Sequence, residues 1–147
     1  MRLTRHYVPG MQKKNWGRVI FISSESAVHI PAEMVHYGMT KTAQVAIARG
    51  LAESLAGSGI TVNSILVGPT ASEGAGAFLQ EVARQRNLTS AELERQFFKE
   101  MRPTSPLRRF ETPEEVAAVV VIVASAQSAV ITGAAVRADG GVVKSVL

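Results

Sequence analysis

No cysteine occurs anywhere in the 147 residues. That excludes a disulfide framework and a thiolate metal site. Histidine is scarce, and His6, His29 and His36 show no metal-ligand spacing, so no metal is expected. Long hydrophobic runs are missing too. The longest, at 116–124, covers nine residues, against the ~20 that a membrane-crossing helix needs. The opening MRLTRHYVPG has no apolar core of a secretory leader. Acid is absent from the first 24 residues, which hold Arg2, Arg5, Lys13, Lys14 and Arg18. With no aromatic-basic interleaving and no nucleic-acid motif, this charge reads as a solvated helix face and loop. What remains is a soluble, cytoplasmic chain of one domain, 46% apolar with a net charge of +4, and with neither membrane nor nucleic acid as partner.

The patterning alternates strand and helix. Residues 3–13 read as the tail of a helix interrupted at Pro9 and Gly10, followed by a turn at Asn15, Trp16 and Gly17. Residues 18–24, RVIFISS, form a short continuous apolar run rich in β-branched residues, which suits a strand buried on both faces of a parallel sheet. From 32 to 58 the pattern is helical, with Ala43, Ala46, Ile47, Gly50, Leu51, Ser54 and Leu55 as a stripe of small and apolar residues; Gly57 and Gly59 end it. Residues 60–67, ITVNSILV, make a second buried strand, so the unit is strand, helix, parallel strand. Weakly amphipathic helix is expected over 74–101, with a start at Thr89 and Ser90. A well-marked helix start follows at Thr112, Pro113, Glu114 and Glu115. The apolar run 116–124 reads as core, and 134–138 as a last short strand closed by a chain reversal at Asp139, Gly140 and Gly141.

Within the long helix stands YGMTK, residues 37–41. On a helix Tyr37 and Lys41 share a face. An ammonium near a phenol favours the phenolate, which helps a tyrosine exchange protons near neutral pH. The spacing alone is equally that of a surface pair. Context adds weight: Ser23 and Ser24 end the first strand, Gly68, Pro69 and Thr70 follow the second, and ligands of doubly wound sheets bind outside that edge. His36 reads as a helix-surface residue and Trp16 as a turn-packing one.

In their order and spacing, GRVIFISS (17–24), YGMTK, ITVNSILVGPTAS (60–72) and ITGAAVRADGG (131–141) resemble the short-chain dehydrogenase/reductase family, with similarity to 3-oxoacyl-carrier-protein reductases. The resemblance implies an α/β fold, the C-terminal portion of a doubly wound (Rossmann-type) parallel sheet, with about three strands and flanking helices. It implies NAD or NADP as cofactor and a small carbonyl compound or secondary alcohol as substrate. Tyr37 would be the general acid, Ser24 would hydrogen-bond the reacting oxygen, and Lys41 would support Tyr37 and hold the nicotinamide ribose. Gly68, Thr70 and Ser72 would form the rest of the cofactor site, with Thr70 and Ser72 on the carboxamide. Residues 73–110 would be the substrate loop, with Phe78, Leu79, Phe97, Phe98 and Met101. The long helix and the last strand are where such proteins form dimers or tetramers. Ser72 replaces the family's usual threonine, and Val67 its usual proline.

No Gly-x-x-x-Gly-x-Gly occurs in the sequence. The expectation is therefore that residues 1–147 are the C-terminal catalytic part of one Rossmann-type domain, with the cofactor-binding half absent. Such a chain would be inactive alone and would leave the first strand with an unpaired edge. The alternative is a non-catalytic remnant serving as an oligomerisation module.

Overall fold

Three parallel strands carry the molecule, and the computed structural model describes residues 1–146 of it. The side chains of Ala75 and Phe78 are outside the described set, so the expectation for Phe78 falls outside the described residues. Strand β1 (Gly17–Ser24) lies along β2 (Ile60–Val67) over its whole length, Gly17 opposite Ile60 and Ser24 opposite Val67. Strand β3 (Ala135–Ala138) pairs with the other side of β2, giving the order β1-β2-β3. The central strand is covered on both faces, with Val62 and Ile65 fully buried. That is why its sequence runs apolar without alternating. Its polar exception, Asn63, donates from Nδ2 to Ile131 O (2.8 Å) and accepts at Oδ1 from Ala134 N (3.1 Å), tying the approach to β3 into the sheet.

Helices α1 (Arg2–Lys13) and α2 (Val35–Ser54) cover one face. Val8, Ala48, Leu55, Ile60 and Val62 form the core there, with Met11, Val19 and Phe21 against them. The expected interruption at Pro9 does not occur: α1 runs through it. The proline costs the helix one hydrogen bond, but Val8 and Met11 on either side of it are held in the core. The opposite face of the sheet carries α5 (Pro113–Ala124), which begins with a capping box at Thr112 and Glu115. Arg18 reaches across to it, donating from Nε to Ser125 O at 3.2 Å. Helices α3 (Glu73–Gln85) and α4 (Ser90–Glu100) fill the segment after β2.

Two apolar faces are left partly open. On α2, Ala43, Ala46, Ile47, Gly50 and Ser54 are exposed, while Gly38, Ala48 and the cap residue Leu55 are buried. On α5 the run 116–124 is not wholly core. Val123 is buried, whereas Val121 and Ile122 are 67% and 63% exposed. Each helix meets the sheet on one side only, and among the described residues nothing covers the other side of α2 or of the end of α5. Trp16 is also mainly exposed, with the Arg18 guanidinium 5.2 Å from its ring centre.

The free edge of β1 has no strand beside it among the described residues. Gly17 N donates to Gly59 O on the β2 side. The alternation of a parallel ladder therefore turns the backbone groups of Arg18, Ile20 and Ile22 outward. Lys41 Nζ reaches one of them, Ile22 O, at 3.3 Å. The groove beside this edge is lined by Leu3, Tyr7, Val8, Ile20 and Ile22, and Ile22 is 49% exposed. An apolar edge of this kind is a template for pairing with another chain. The chain is expected to self-associate at micromolar concentration, and Ile22→Lys is expected to lower its weight-average mass. Sedimentation velocity checks this, and a monodisperse wild-type monomer would contradict it.

Candidate active site

At the carboxyl ends of the strands the backbone sets three segments side by side. Ser24 closes β1 and is buried, with its backbone still extended. Its Oγ accepts from Ser26 N (3.1 Å) and donates to the Glu25 carboxylate. Glu25 Oε2 also accepts from Ser26 N (2.9 Å), while Oε1 accepts from Arg102 Nε (2.9 Å). Glu25 and Arg102 are both buried, and Arg102 Nη1 donates to Met101 O (2.8 Å). This ion pair joins the end of β1 to the segment after α4.

Helix α2 is fastened to that same strand end. Ser23 Oγ donates to Lys41 O (3.1 Å), and Thr42 Oγ1 to Ala27 O (2.8 Å). Gly38 permits the approach: a Cβ there would lie 2.6 Å from Ile30 Cγ2 and 3.0 Å from Ser26 O. Tyr37, one residue earlier, lines the same cavity as Ser24. Lys41 stands a turn further along, its Nζ 5.5 Å from the centre of the Tyr37 ring. His36 is exposed.

The third segment follows β2. Gly68 N donates to Ala138 O (2.8 Å). Ala71 N donates to Glu111 O and Glu111 N to Pro69 O, both at 2.9 Å. Thr70 is thus clamped between strand and loop, with its Oγ1 donating to Gly68 O at 3.0 Å. A Cβ on Gly68 would meet the Glu111 carboxylate and come within 2.8 Å of Asp139 Cα, so glycine alone fits. The turn at Asp139 reverses the chain, its carboxylate accepting from Gly141 N (3.1 Å) and Val143 N (3.0 Å).

Together these segments line a cavity of about 390 Å³. Ser24, Tyr37, Gly68 and Thr70 line it, together with Leu79, Phe97, Met101 and Phe110. Phe97, Phe98 and Phe110 pack against one another with ring centres 5.0–5.2 Å apart. Of the residues the sequence pointed to, Ser24, Tyr37, Gly68 and Thr70 come together here. Lys41 lies behind Tyr37, outside the lining. Ser72 is exposed at the start of α3, with its N–H on Thr70 O and its carbonyl accepting from Gly76 N. Sequence reasoning missed Glu25, Arg102 and Glu111. No spacing rule links Glu25 to a residue 77 positions away. Among the described residues no cluster of histidine and acids could hold a metal, and no helix is long and apolar enough to cross a membrane.

The comparisons with known proteins point one way. A family profile described as enoyl-(acyl carrier protein) reductase matches residues 1–143. The uncharacterized oxidoreductase YvaG of Bacillus subtilis is 48% identical over 146 residues, 99% of this chain and 55% of that protein. The acetoacetyl-CoA reductase of Rhizobium meliloti is 32% identical over 132 residues, 90% of this chain and 49% of that one. The crystal structure of L-sorbose reductase from Gluconobacter frateurii, complexed with NADPH and L-sorbose, superposes with a TM-score of 0.89 at 28% identity, covering 99% of this chain and 54% of that one. The chain spans about half the length of the curated relatives it matches.

Glu111, whose backbone holds the loop after β2, carries a buried carboxyl. It is 6% exposed, and neither carboxylate oxygen takes a hydrogen bond. The nearest backbone donor, Gly68 N–H, is already given to Ala138 O. Burial pushes its carboxyl from the usual 4.5 up to about 7; the nearby Gly68 N–H opposes the rise, and the carboxylates of Asp139, Glu115 and Glu25 add to it. A folded-state value above the unfolded one means that the native state holds the proton more tightly. Stability is then lost as pH climbs from about 4.5 to about 7. The stability difference between Glu111→Gln and wild type should therefore grow across that window by about 3 kcal/mol and level off above it. Urea melts at pH 4.5, 6 and 8 check this, and a difference that does not change with pH would contradict it.

Proposed function

Because the chain belongs to the short-chain dehydrogenase/reductase family, we propose that it is the catalytic part of an NAD- or NADP-dependent oxidoreductase that interconverts a small carbonyl compound and its secondary alcohol. The observation that carries this reading is the convergence of Ser24, Tyr37 and Thr70 on one cavity, with Lys41 behind the Tyr37 ring. The donor set suits the nicotinamide end of such a cofactor. Thr70 offers a hydroxyl beside the clamped Gly68, and Lys41 an ammonium on the tyrosine's far side. No glycine-rich turn for the pyrophosphate occurs in these residues. When bound, the dinucleotide supplies or takes up the hydride.

The chain's own residues handle the proton. Tyr37 gives its phenolic proton to the carbonyl oxygen and takes one from the alcohol in the reverse direction. The Lys41 charge stabilises the negative charge that develops on Tyr37. The Ser24 proton rests on Glu25 in this structure, so a carbonyl oxygen in the cavity competes with that carboxylate for it. Gly68, Thr70 and Ser72 are the proposed cofactor contacts. Apolar groups of residues 73–110 cover the substrate, and the complete protein is a homo-oligomer in the cytoplasm.

A second reading has its own support. The exposed small face of α2 and the exposed Val121 and Ile122 on α5 suit a module that associates with copies of itself without catalysis. Dinucleotide binding separates the two readings.

The 147-residue chain alone is expected to show no turnover of NADPH with ketones above the buffer rate. Joined to the amino-terminal half of the 48%-identical Bacillus relative, it should turn over. Tyr37→Phe should then abolish turnover and leave cofactor binding intact, while Lys41→Ala should damage both. Steady-state rates and fluorescence titration with NADPH read these outcomes. Near-normal turnover by Tyr37→Phe would remove Tyr37 from the role of acid.

A further inference from the structure

The charges around the cavity form an uneven set. Three charged side chains line it: Glu25, Glu33 and Arg102. Glu33 is exposed at the rim, whereas Glu25 and Arg102 are buried and joined by the 2.9 Å contact between Arg102 Nε and Glu25 Oε1. The only cation in the lining is thus already matched by a carboxylate from within the cavity. A second anion entering here would leave water, meet the Glu33 carboxylate in the lining and find there no cation that is not already paired, the Lys41 ammonium lying outside the lining beside the Tyr37 ring. That placement is unfavourable in a site of restricted solvent. Apart from the segments that carry Ser24, Tyr37 and Thr70, the walls hold Met34, Leu79, Phe97, Met101 and Phe110, which favour apolar substituents.

From this arrangement we propose that the Glu25–Arg102 pair sets the charge selectivity of the site: it confines binding to uncharged ketones and secondary alcohols with apolar substituents, and Glu25 is the residue that keeps carboxylate-bearing substrates out. The inference rests on the carbonyl site described above and narrows its substrate class. With Glu25 neutral, the Arg102 guanidinium would be left facing the cavity unmatched, and a carboxylate could pair with it in bidentate fashion.

Equilibrium binding tests this on the full chain, without cofactor or turnover, so a failure of the redox reading leaves the readout intact. The probes are 4-(4-fluorophenyl)butan-2-one and 4-(4-fluorophenyl)-2-oxobutanoate, which differ only by a methyl group replaced with a carboxylate. Fluorine NMR titration gives both affinities. The wild type is expected to bind the neutral ketone at least about tenfold more tightly. Glu25→Gln should bring the two within about threefold or reverse them. The double variant Glu25→Gln with Arg102→Gln should restore the preference for the neutral probe. Should Glu25→Gln not fold, Met101→Lys decides: it adds an unmatched cation at a wall residue that is 42% exposed. It should raise carboxylate affinity by about tenfold. Equal wild-type affinities, no binding of either probe, a ratio unchanged in folded Glu25→Gln, or carboxylate affinity unchanged in Met101→Lys would each overturn the proposal.

Discussion

The geometry of the site depends on how closely α2 approaches the end of β1. Gly38 has no room for a side chain between Ser26 O and Ile30. The Ser23 and Thr42 hydroxyls stitch the helix to the strand end from either side. A helix held a few ångströms further out would carry Tyr37 away from Ser24, and Lys41 away from the Ile22 carbonyl that it now reaches. Any alanine at position 38 must either displace Ile30 and the backbone at Ser26 or lift the helix. The catalytic reading of Tyr37 thus rests on a packing constraint made by a residue with no chemistry of its own.

The same logic governs the other wall. The segment after β2 is held by backbone bonds to Ala138 and Glu111, with Gly68 pressed against both neighbours. The clamp leaves Glu111 buried with no donor on either oxygen. Stability is given up so that Thr70 faces the cavity in a fixed position. A buried carboxyl without a donor costs stability, which packing elsewhere offsets. Here the offset comes from β2, the most deeply buried element of the chain.

Much of this was legible in the sequence. The run ITVNSILV reads as a buried strand of a parallel sheet, and β2 matches it residue for residue. Thr89 and Thr112 announce their helices because a capping box is a local device, written within four residues. The Tyr37 and Lys41 pair is local in the same way. What stayed hidden was non-local. Pro9 reads as a breaker until Val8 is seen buried in the core with Met11 packed against it. The apolar run of α5 reads as core, because hydrophobicity reports that a face wants cover, not whether the neighbouring elements supply it. Glu25 and Arg102 carry no signal at all, since their pairing exists only once α4 has returned to the end of β1.

The central claim is that the cavity between Ser24, Tyr37 and Thr70 receives the nicotinamide end of a dinucleotide. Chemical-shift mapping of the isotope-labelled chain with reduced nicotinamide mononucleotide tests it most directly, because that half-cofactor needs no pyrophosphate turn. The account predicts saturable shifts at the amides of Ser24–Ser26, Tyr37–Lys41 and residues 68–72, with little change along α5. Shifts centred elsewhere, or none at millimolar ligand, would contradict it.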